Sequence, residues 1–364
     1  MLWLCKDRRT YIREEAAMDT AARKPLLRRV AETAGVSSAT VDRVLNERGN
    51  VSPKTAQKVI NAARQIGLKR ILPGSYHKGV RIEVLLIRPE LPLIKRINQH
   101  FINIASTLDR SVIVNRTILK NDDPKKFASH LLSCKAQGII LYGREDKEVH
   151  DAIAAVSAAG KLVVTVISDM HESARFAYAG ADHYAGGRTA GFFMSRMARR
   201  PGSVVILCNH HKYHGHVGRI RGMQDALLEA GNGVAVSDVL EGRDEGQLSE
   251  LLLTQALQGR SDVIGIYNAG AANLAVERAI KRSPLVCPIF IGHELTENTI
   301  RMLREGIMTL TIDQNPERQA RNAVNLILGQ FGYSEPAADP QTREHVPFTI
   351  YTRENLPTNR EQAR

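Results

Sequence analysis

From Val80 onward, short apolar runs rich in Val, Ile and Leu alternate with segments of helical length. The runs are VRIEVLLI (80–87), SVIVNRTI (111–118), GIILY (138–142), KLVVTVI (161–167) and FAYAG (176–180). They continue as SVVILC (203–208), VAVSDVL (234–240), DVIGIY (262–267), PIFIG (288–292), TLTID (309–313) and FTIY (348–351). Helical stretches at 124–136, 145–159, 186–199 and 218–230 fit between them. Strands that are apolar along their whole length are covered on both faces, so this alternation builds parallel sheets between layers of helices. Two sets of five or six runs predict two doubly wound lobes over 80–356, with a ligand at the carboxyl ends of their strands.

At 364 residues the chain has room for two or three domains. Its 43% hydrophobic and 24% charged residues exclude a disordered or fibrous chain. The net charge of +12 is concentrated at one end. Residues 1–79 hold 16 Lys and Arg against 7 Asp and Glu, and the other 285 residues hold 34 against 31. A small basic module for a polyanion, joined to a near-neutral body, accounts for that asymmetry; a basic solvated tail is the plainer alternative. Cys5, Cys134, Cys208 and Cys287 lie far apart with no Cys-x-x-Cys pair. That spacing argues against a disulfide scaffold or a thiolate zinc site and for a reducing compartment. In MLWLCKDRRTYIREE, charges follow directly on four apolar residues, which does not make a secretory segment. The expected location is the cytoplasm, with no membrane partner.

The basic end carries a compact helical pattern over 24–68. Pro25 opens a first helix with Leu26, Leu27, Val30 and Ala31 at helical spacing, and Gly35 suits the tight turn that ends it. Ser37 is a natural N-cap for a second helix with Val41, Val44 and Leu45 inward. After a polar loop, Ser52-Pro53 starts a third, with Val59, Ile60, Ala63 and Ile66 inward. Two short helices joined by a three-residue turn, backed by a third, make a helix-turn-helix whose second helix fits a DNA major groove.

The order of residues, AxxAGVSxxTVxRVLN followed by VSPKT, resembles the N-terminal domain of the lactose-repressor (LacI/GalR) family of bacterial transcription regulators. The resemblance spans about 24–356 and implies a sequence-specific, effector-controlled DNA-binding regulator, a repressor acting as a homodimer on near-palindromic operator DNA. Position by position, Ser38 and Ala39 match the pair that reads bases. Arg43 matches the guanine-reading arginine, chemically apt because a guanidinium bonds guanine O6 and N7 together. Ser37, Thr40, Asn46 and Lys54 match positions at or near phosphates. Asp42 stands where the family more often has serine, and pairing with Arg43 or Lys54 is the expected use of it. The linker at 69–79, KRILPGSYHKG, is shorter than the family's hinge and broken by Pro73-Gly74, with Leu72 the candidate minor-groove wedge. Residues 1–23 read as a disordered extension; Met18 sits where the family usually starts, so 1–17 suggest an upstream start codon. Residues 357–364 read as a tail.

For the body the resemblance implies a fold like the periplasmic sugar-binding proteins, with a cleft between lobes crossed near 182–190, 293–298 and 313–316. It implies cleft roles for Asp169 in VISDM, for Asp182 and His183 in GADHYAGGRTAG, and for Arg219 in RIRGM. Asn268 and Asn273 in YNAGAAN, Glu294 in GHELTENT and Gln314 in TIDQNP complete the set. Such groups suit a sugar, polyol or sugar derivative, whose hydroxyls both donate and accept. Leu93 and Ile94 stand where sugar binders of this type carry aromatic rings, which argues against a hexose stacked on two rings.

No cofactor and no metal is expected. NHHKYHGH (209–216) holds four histidines, and His210 and His214 would share a face if helical. No carboxylate falls within it and it follows a strand, so a loop over the ligand is the better reading. GGRTAG (186–191) lacks the dinucleotide spacing, and no phosphate loop or nucleophile elbow occurs, which leaves an enzyme without its machinery. The alternative is a solute-binding sugar receptor without regulatory DNA binding; the basic helix-turn-helix weighs against it.

Overall fold

Apolar spacing, caps and turns divide the chain into a helical unit within residues 1–79 and an α/β unit that begins at Val80. In this computed structural model the described residues are 27–46, 51–66, 79–283, 285, 288–333 and 345–357. Leu72, the linker up to residue 78, the N-terminal extension with Pro25 and Leu26, Cys5, Cys287 and the tail from 358 lie outside them.

In the helical unit, α1 covers residues 27–34. Gly35 follows at φ 66°, with Gly35 N–H donating to Glu32 O and Val36 N–H to Ala31 O, the paired bonds of a left-handed helix stop. α2 is Ser38–Leu45 and α3 is Pro53–Gln65. Ser37 Oγ accepts from Thr40 N–H at 3.2 Å and Ser52 Oγ from Thr55 N–H at 3.2 Å, so both expected caps form. Val30, Val41, Val44, Ala56, Val59, Ile60 and Ala63 have no exposed surface at all and close one apolar core.

The first lobe of the α/β unit holds β1 (Val80–Ile87), β2 (Val112–Leu119), β3 (Gly138–Leu141), β4 (Leu162–Thr165) and β5 (Ala177–Tyr178). They form an all-parallel sheet in the order β2-β1-β3-β4-β5. Its helices are α4 (Pro92–Thr107), α5 (Pro124–Ser133) and α6 (Lys147–Ala158). The second lobe holds α7 (His183–Met197), β6 (Gly202–Cys208), α8 (His214–Ala230), β7 (Val234–Glu241), α9 (Gly246–Leu257) and β8 (Val263–Asn268). It continues with α10 (Asn273–Arg282), β9 (Ile289–His293), α11 (Glu297–Arg304) and β10 (Leu310–Asp313). After α12 (Pro316–Gln330), β11 (Thr349–Tyr351) joins as an antiparallel edge to give β11-β10-β9-β8-β6-β7. Eleven expected runs thus become eleven strands, split five and six.

The crossings differ from expectation at one place. β9 and β10 are neighbours in one sheet, and α11 between them packs Met302 and Leu303 into that lobe's core, so nothing leaves the lobe at 293–298. The passages are instead 179–182, 314–315 and the stretch before β11. α12 returns to the first lobe, where Ile327 fills the space a Cβ on Gly138 would take, 2.4 Å from it. Val346 N–H donates to Gly180 O at 2.8 Å, so the first and last passages run side by side.

Candidate functional site

The strand ends of both lobes meet at a small cavity lined by residues of both. Tyr142 follows β3, Ile167 and Ser168 follow β4, Asp244 follows β7, Gly270 and Ala271 follow β8, and Gln314 follows β10. Leu91, Leu93 and Ile94 at the start of α4 supply an apolar wall. This is the strand-end placement that doubly wound sheets give their ligands.

Arg219 lies at the centre, 5% exposed. Its place depends on how closely α7 and α8 approach. A Cβ on Gly187 would stand 2.1 Å from Arg219 O, and one on Gly222 would stand 2.2 Å from Tyr184 O. Within GGRTAG, Gly187 and Gly191 are therefore helix-packing residues; a Cβ on Gly191 would stand 2.8 Å from Ala226 Cβ. Arg219 Nε donates to His183 Nδ1 (3.2 Å) and Nη1 to Ala269 O (2.7 Å). Nη2 has no partner, and no carboxylate reaches the guanidinium, among the described residues. A buried cation in that state calls for acceptor oxygens from a ligand.

His183 is caught between two demands: Nδ1 accepts from Arg219 while Nε2 donates to Ile167 O at 2.5 Å. Burial, and then the Arg219 charge, push its pKa well below the usual histidine value, so it is a neutral ring. His216 is lowered to about 3 and His293 well below its usual value, for the same two causes in the same order. Asp244 accepts from Ala271 N–H (2.7 Å) and Asn209 Nδ2 (2.7 Å); burial raises its pKa. Glu294, 5% exposed, accepts from Gln314 at Oε1 and from Arg96 at Oε2 (3.1 Å). Burial, and then the neighbouring Asp313, push its carboxyl up to about 7. Gln314 Oε1 and His293 Nδ1 are buried without a partner among the described residues.

Of the eight cleft residues expected from sequence, His183, Arg219, Glu294 and Gln314 line this cavity. The other four do not. Asp169 stays in its own lobe, accepting from Arg175 Nε (2.5 Å) and Nη2 (2.6 Å) and from Met170 N–H. Asp182 caps α7 through Ala185 N–H (2.9 Å). Asn268 donates to Asn273 Oδ1 (2.7 Å) and Asn273 to His293 O (2.9 Å), shaping the turn beneath the cavity. Asn273 borders an adjoining recess beside α4.

The expected lack of aromatic surface is corrected by two tyrosines from elsewhere. Tyr142 and Tyr213 both line the cavity, with ring centroids 5.9 Å apart and planes 26° from parallel. Tyr213 belongs to NHHKYHGH, the stretch expected to form a loop over the ligand. That stretch is in fact half loop: α8 begins at His214, and Gly215 lies inside the helix. His210 therefore does not share a helix face with His214. Among the described residues no group of three or more His, Cys, Asp or Glu is placed to hold a metal ion.

The other candidate surface is α2. Ser37, Ser38, Ala39 and Arg43 are exposed along it, Thr40 and Asn46 are half-buried, and Lys54 is exposed at the start of α3. Asp42 accepts from Asn46 Nδ2 at 2.6 Å along its own helix. Arg43 has no protein partner among the described residues. Its guanidinium stands clear of the core that Val41, Val44 and Leu45 close behind it.

Comparison with known proteins separates the same two parts. The family model described as bacterial regulatory proteins, lacI family, matches residues 26–70. The periplasmic binding protein domain model matches residues 101–331. The chain is 25% identical over 258 residues to the HTH-type transcriptional regulator DegA of Bacillus subtilis (strain 168), covering 67% of this chain and 75% of that protein. It is 30% identical over 119 residues to the ribose operon repressor of Halalkalibacterium halodurans, 32% of this chain and 36% of that one. Among solved structures, a solute-binding protein from Burkholderia graminis in complex with D-arabinose aligns with TM-score 0.70 at 18% identity, over 78% of this chain and 98% of that one. The glucose-galactose binding protein GanP of Geobacillus stearothermophilus aligns with TM-score 0.67 at 20% identity, over 76% and 99%. Identities this low carry the fold alone.

Proposed function

We infer the working of this chain from its family: it belongs to the periplasmic-binding-protein domain family and carries a lacI-family helix-turn-helix, which makes it a DNA-binding regulator. We propose that it represses transcription from operator DNA and is released by a sugar-like or polyol effector bound in the cavity around Arg219. The observation that carries the effector reading is the set of unanswered polar groups there: Arg219 Nη2, Gln314 Oε1 and His293 Nδ1. Facing them, Tyr142, Tyr213, Leu93 and Ile94 offer an apolar wall for a sugar's C–H surface. A ring with hydroxyls along its edge and C–H bonds on its face meets both demands.

α2 presents Ser38 and Ala39 at its first turn, where a groove-bound helix meets base edges, and Arg43 one turn later. Two such helices, related by the two-fold axis of a homodimer in the cytoplasm, fit the half-sites of a near-palindromic operator. An effector acts on that arrangement only through its different affinities for the DNA-competent and DNA-incompetent states. The exposed α2 face favours this reading over a solute receptor without DNA binding.

The test is a thermal-shift panel of sugars, polyols, sugar acids and sugar phosphates on the purified protein, each hit being retested for release of promoter DNA. A compound that raises the melting temperature and weakens DNA binding supports the proposal. Intact DNA binding with no hit across the panel overturns the sugar-like effector.

A further inference from the structure

Helix α4 belongs to the first lobe, and its buried face is apolar through Leu93, Ile94, Ile97 and Phe101. One charged side chain interrupts that face. Arg96 is 9% exposed, and its Nη1 donates to Asp313 Oδ2 at 2.6 Å and to Glu294 Oε2 at 3.1 Å. Both carboxylates belong to the second lobe, at the ends of β10 and β9, and each is 5% exposed. Asp313 Oδ2 also accepts from Leu295 N–H at 2.9 Å, which fixes the chain just past Glu294. Glu294 itself holds φ 73°, a left-handed backbone that a glutamate adopts only when its surroundings impose it. From Gln314 the bonds run on: Gln319 Nε2 donates to Gln314 O (3.0 Å), and Gln319 Oε1 accepts from Ile167 N–H (2.9 Å).

We propose that Arg96 is the positioning residue of the effector site and the clasp between the lobes. It ties the cavity carboxylate Glu294, together with Asp313, to the opposite lobe. This rests on the effector reading for its purpose, though the clasp itself operates without a ligand. The physical reason is charge. When the lobes meet, Glu294 and Asp313 leave water together, and two buried carboxylates side by side are strongly unfavourable unless a cation or a proton joins them. Arg96 is the cation in contact with both. Because it comes from the other lobe, it is present only when the lobes are closed. Closure thus completes the holding of Glu294 in the direction in which it faces the cavity, and a ligand hydroxyl bound to Glu294 favours the closed arrangement in return. The other titratable groups around the pair are Arg219 from α8, His293 from β9, Tyr351 from β11 and His100 one turn further along α4. None of them makes a hydrogen bond or ion pair with Glu294 or Asp313 among the described residues.

The test is hydrogen exchange of the ligand-free full chain, corrected for intrinsic rates at each pH. The reporters are segments 209–216 and 167–170, which meet across the cavity through Gly215 N–H and Ser168 Oγ at 3.1 Å. Arg96→Met should speed their exchange about tenfold or more at pH 8 and much less at pH 5.5, where a proton can stand between the carboxylates in place of the arginine. α9 and α10 should be unchanged, Arg96→Lys should restore part of the protection, and adding Glu294→Gln to Arg96→Met should remove the pH dependence. Unchanged exchange at the reporters overturns the clasp, as does a uniform rise that includes α9 and α10 at every pH. Either result leaves the ligand panel free to succeed, and a failed panel leaves the exchange result standing, so the two readings fall separately.

Discussion

The helical unit and the α/β unit keep their candidate functional side chains in opposite places. On the helical unit Ser38, Ala39, Arg43 and Lys54 stand in solvent over a core closed by Val30, Val41, Val44, Val59 and Ile60. In the α/β unit Arg219, His293, Glu294 and Gln314 are at most 5% exposed and arrive from α8, β9, the turn after β9 and the passage after β10. An exposed cation can be truncated without stranding anything. A buried one leaves its acceptors unsatisfied, and that penalty adds to the lost contact. The two sites should therefore differ in how they respond to truncation, salt and pH.

The largest effect is expected at Arg219. Arg219→Ala strands His183 Nδ1 and Ala269 O and removes the cation that faces the cavity. A hydrogen bond from a charged donor is worth roughly 1.5–3 kcal/mol, two are lost here, and the ligand loses its cation, so the effector response should disappear at accessible concentrations. Operator affinity without effector should be unchanged. A variant that still responds at the wild-type effector concentration breaks the comparison at its buried end. Arg43→Ala should cost less, about 1–3 kcal/mol, and only on operator DNA. Binding to random DNA should fall slightly, with the salt slope changed by about one at most. Equal loss on every sequence would show that Arg43 holds phosphate and does not read a base.

The same contrast explains what could be read from the residues. Ser37, Gly35 and Ser52 act within three to five residues of themselves, so the helical unit is legible from local order. The strands were legible because both of their faces are apolar, and most ends agree within one or two residues. Cleft residues were harder. Asp169 and Asp182 follow strands, as ligand residues do, but Asp is also the residue that starts helices and closes turns, and here those local bonds won. Arg96 went unread in the sequence, because its partners lie 198 and 217 residues away, beyond any periodicity. Tyr142 reaches the cavity only because β3 ends there.

pH should sharpen the contrast next. The Glu294 carboxyl is pushed up, so its protonated form is the one folding favours. Stability from that source is complete below the ordinary glutamate value of 4.5 and is lost as pH rises through about 7. Glu145, held near 7 by burial and then by Asp169, should add to the same fall. Below the ordinary histidine value of 6.5 the buried neutral His183, His216 and His293 act in the opposite direction, so the Glu294 share is read as a difference. Between pH 5 and pH 7, Glu294→Gln should shift the pH slope of the α/β unit's melting temperature toward greater stability at high pH by up to about one proton. The helical unit, with no titratable side chain in its described core, should change little over that window. A Glu294→Gln slope equal to wild type would place the titrating group elsewhere.

The smallest effect tests the exposed end. Ser37 Oγ caps α2 and, by family resemblance, also faces phosphate, so Ser37→Ala mixes two losses. The cap alone is worth about 1 kcal/mol. Ser37→Asp separates them: aspartate caps as well as serine and suits a helix N-terminus, but it sets a negative charge against the DNA backbone. Melting of the helical unit should fall for Ser37→Ala and hold for Ser37→Asp. DNA binding should weaken modestly for Ser37→Ala and sharply for Ser37→Asp, most of all at low salt, where like charges are least screened. If Ser37→Asp bound DNA as the wild type does, the N-terminal end of α2 would not approach phosphate. The recognition surface would then have to begin further along the helix, toward Arg43.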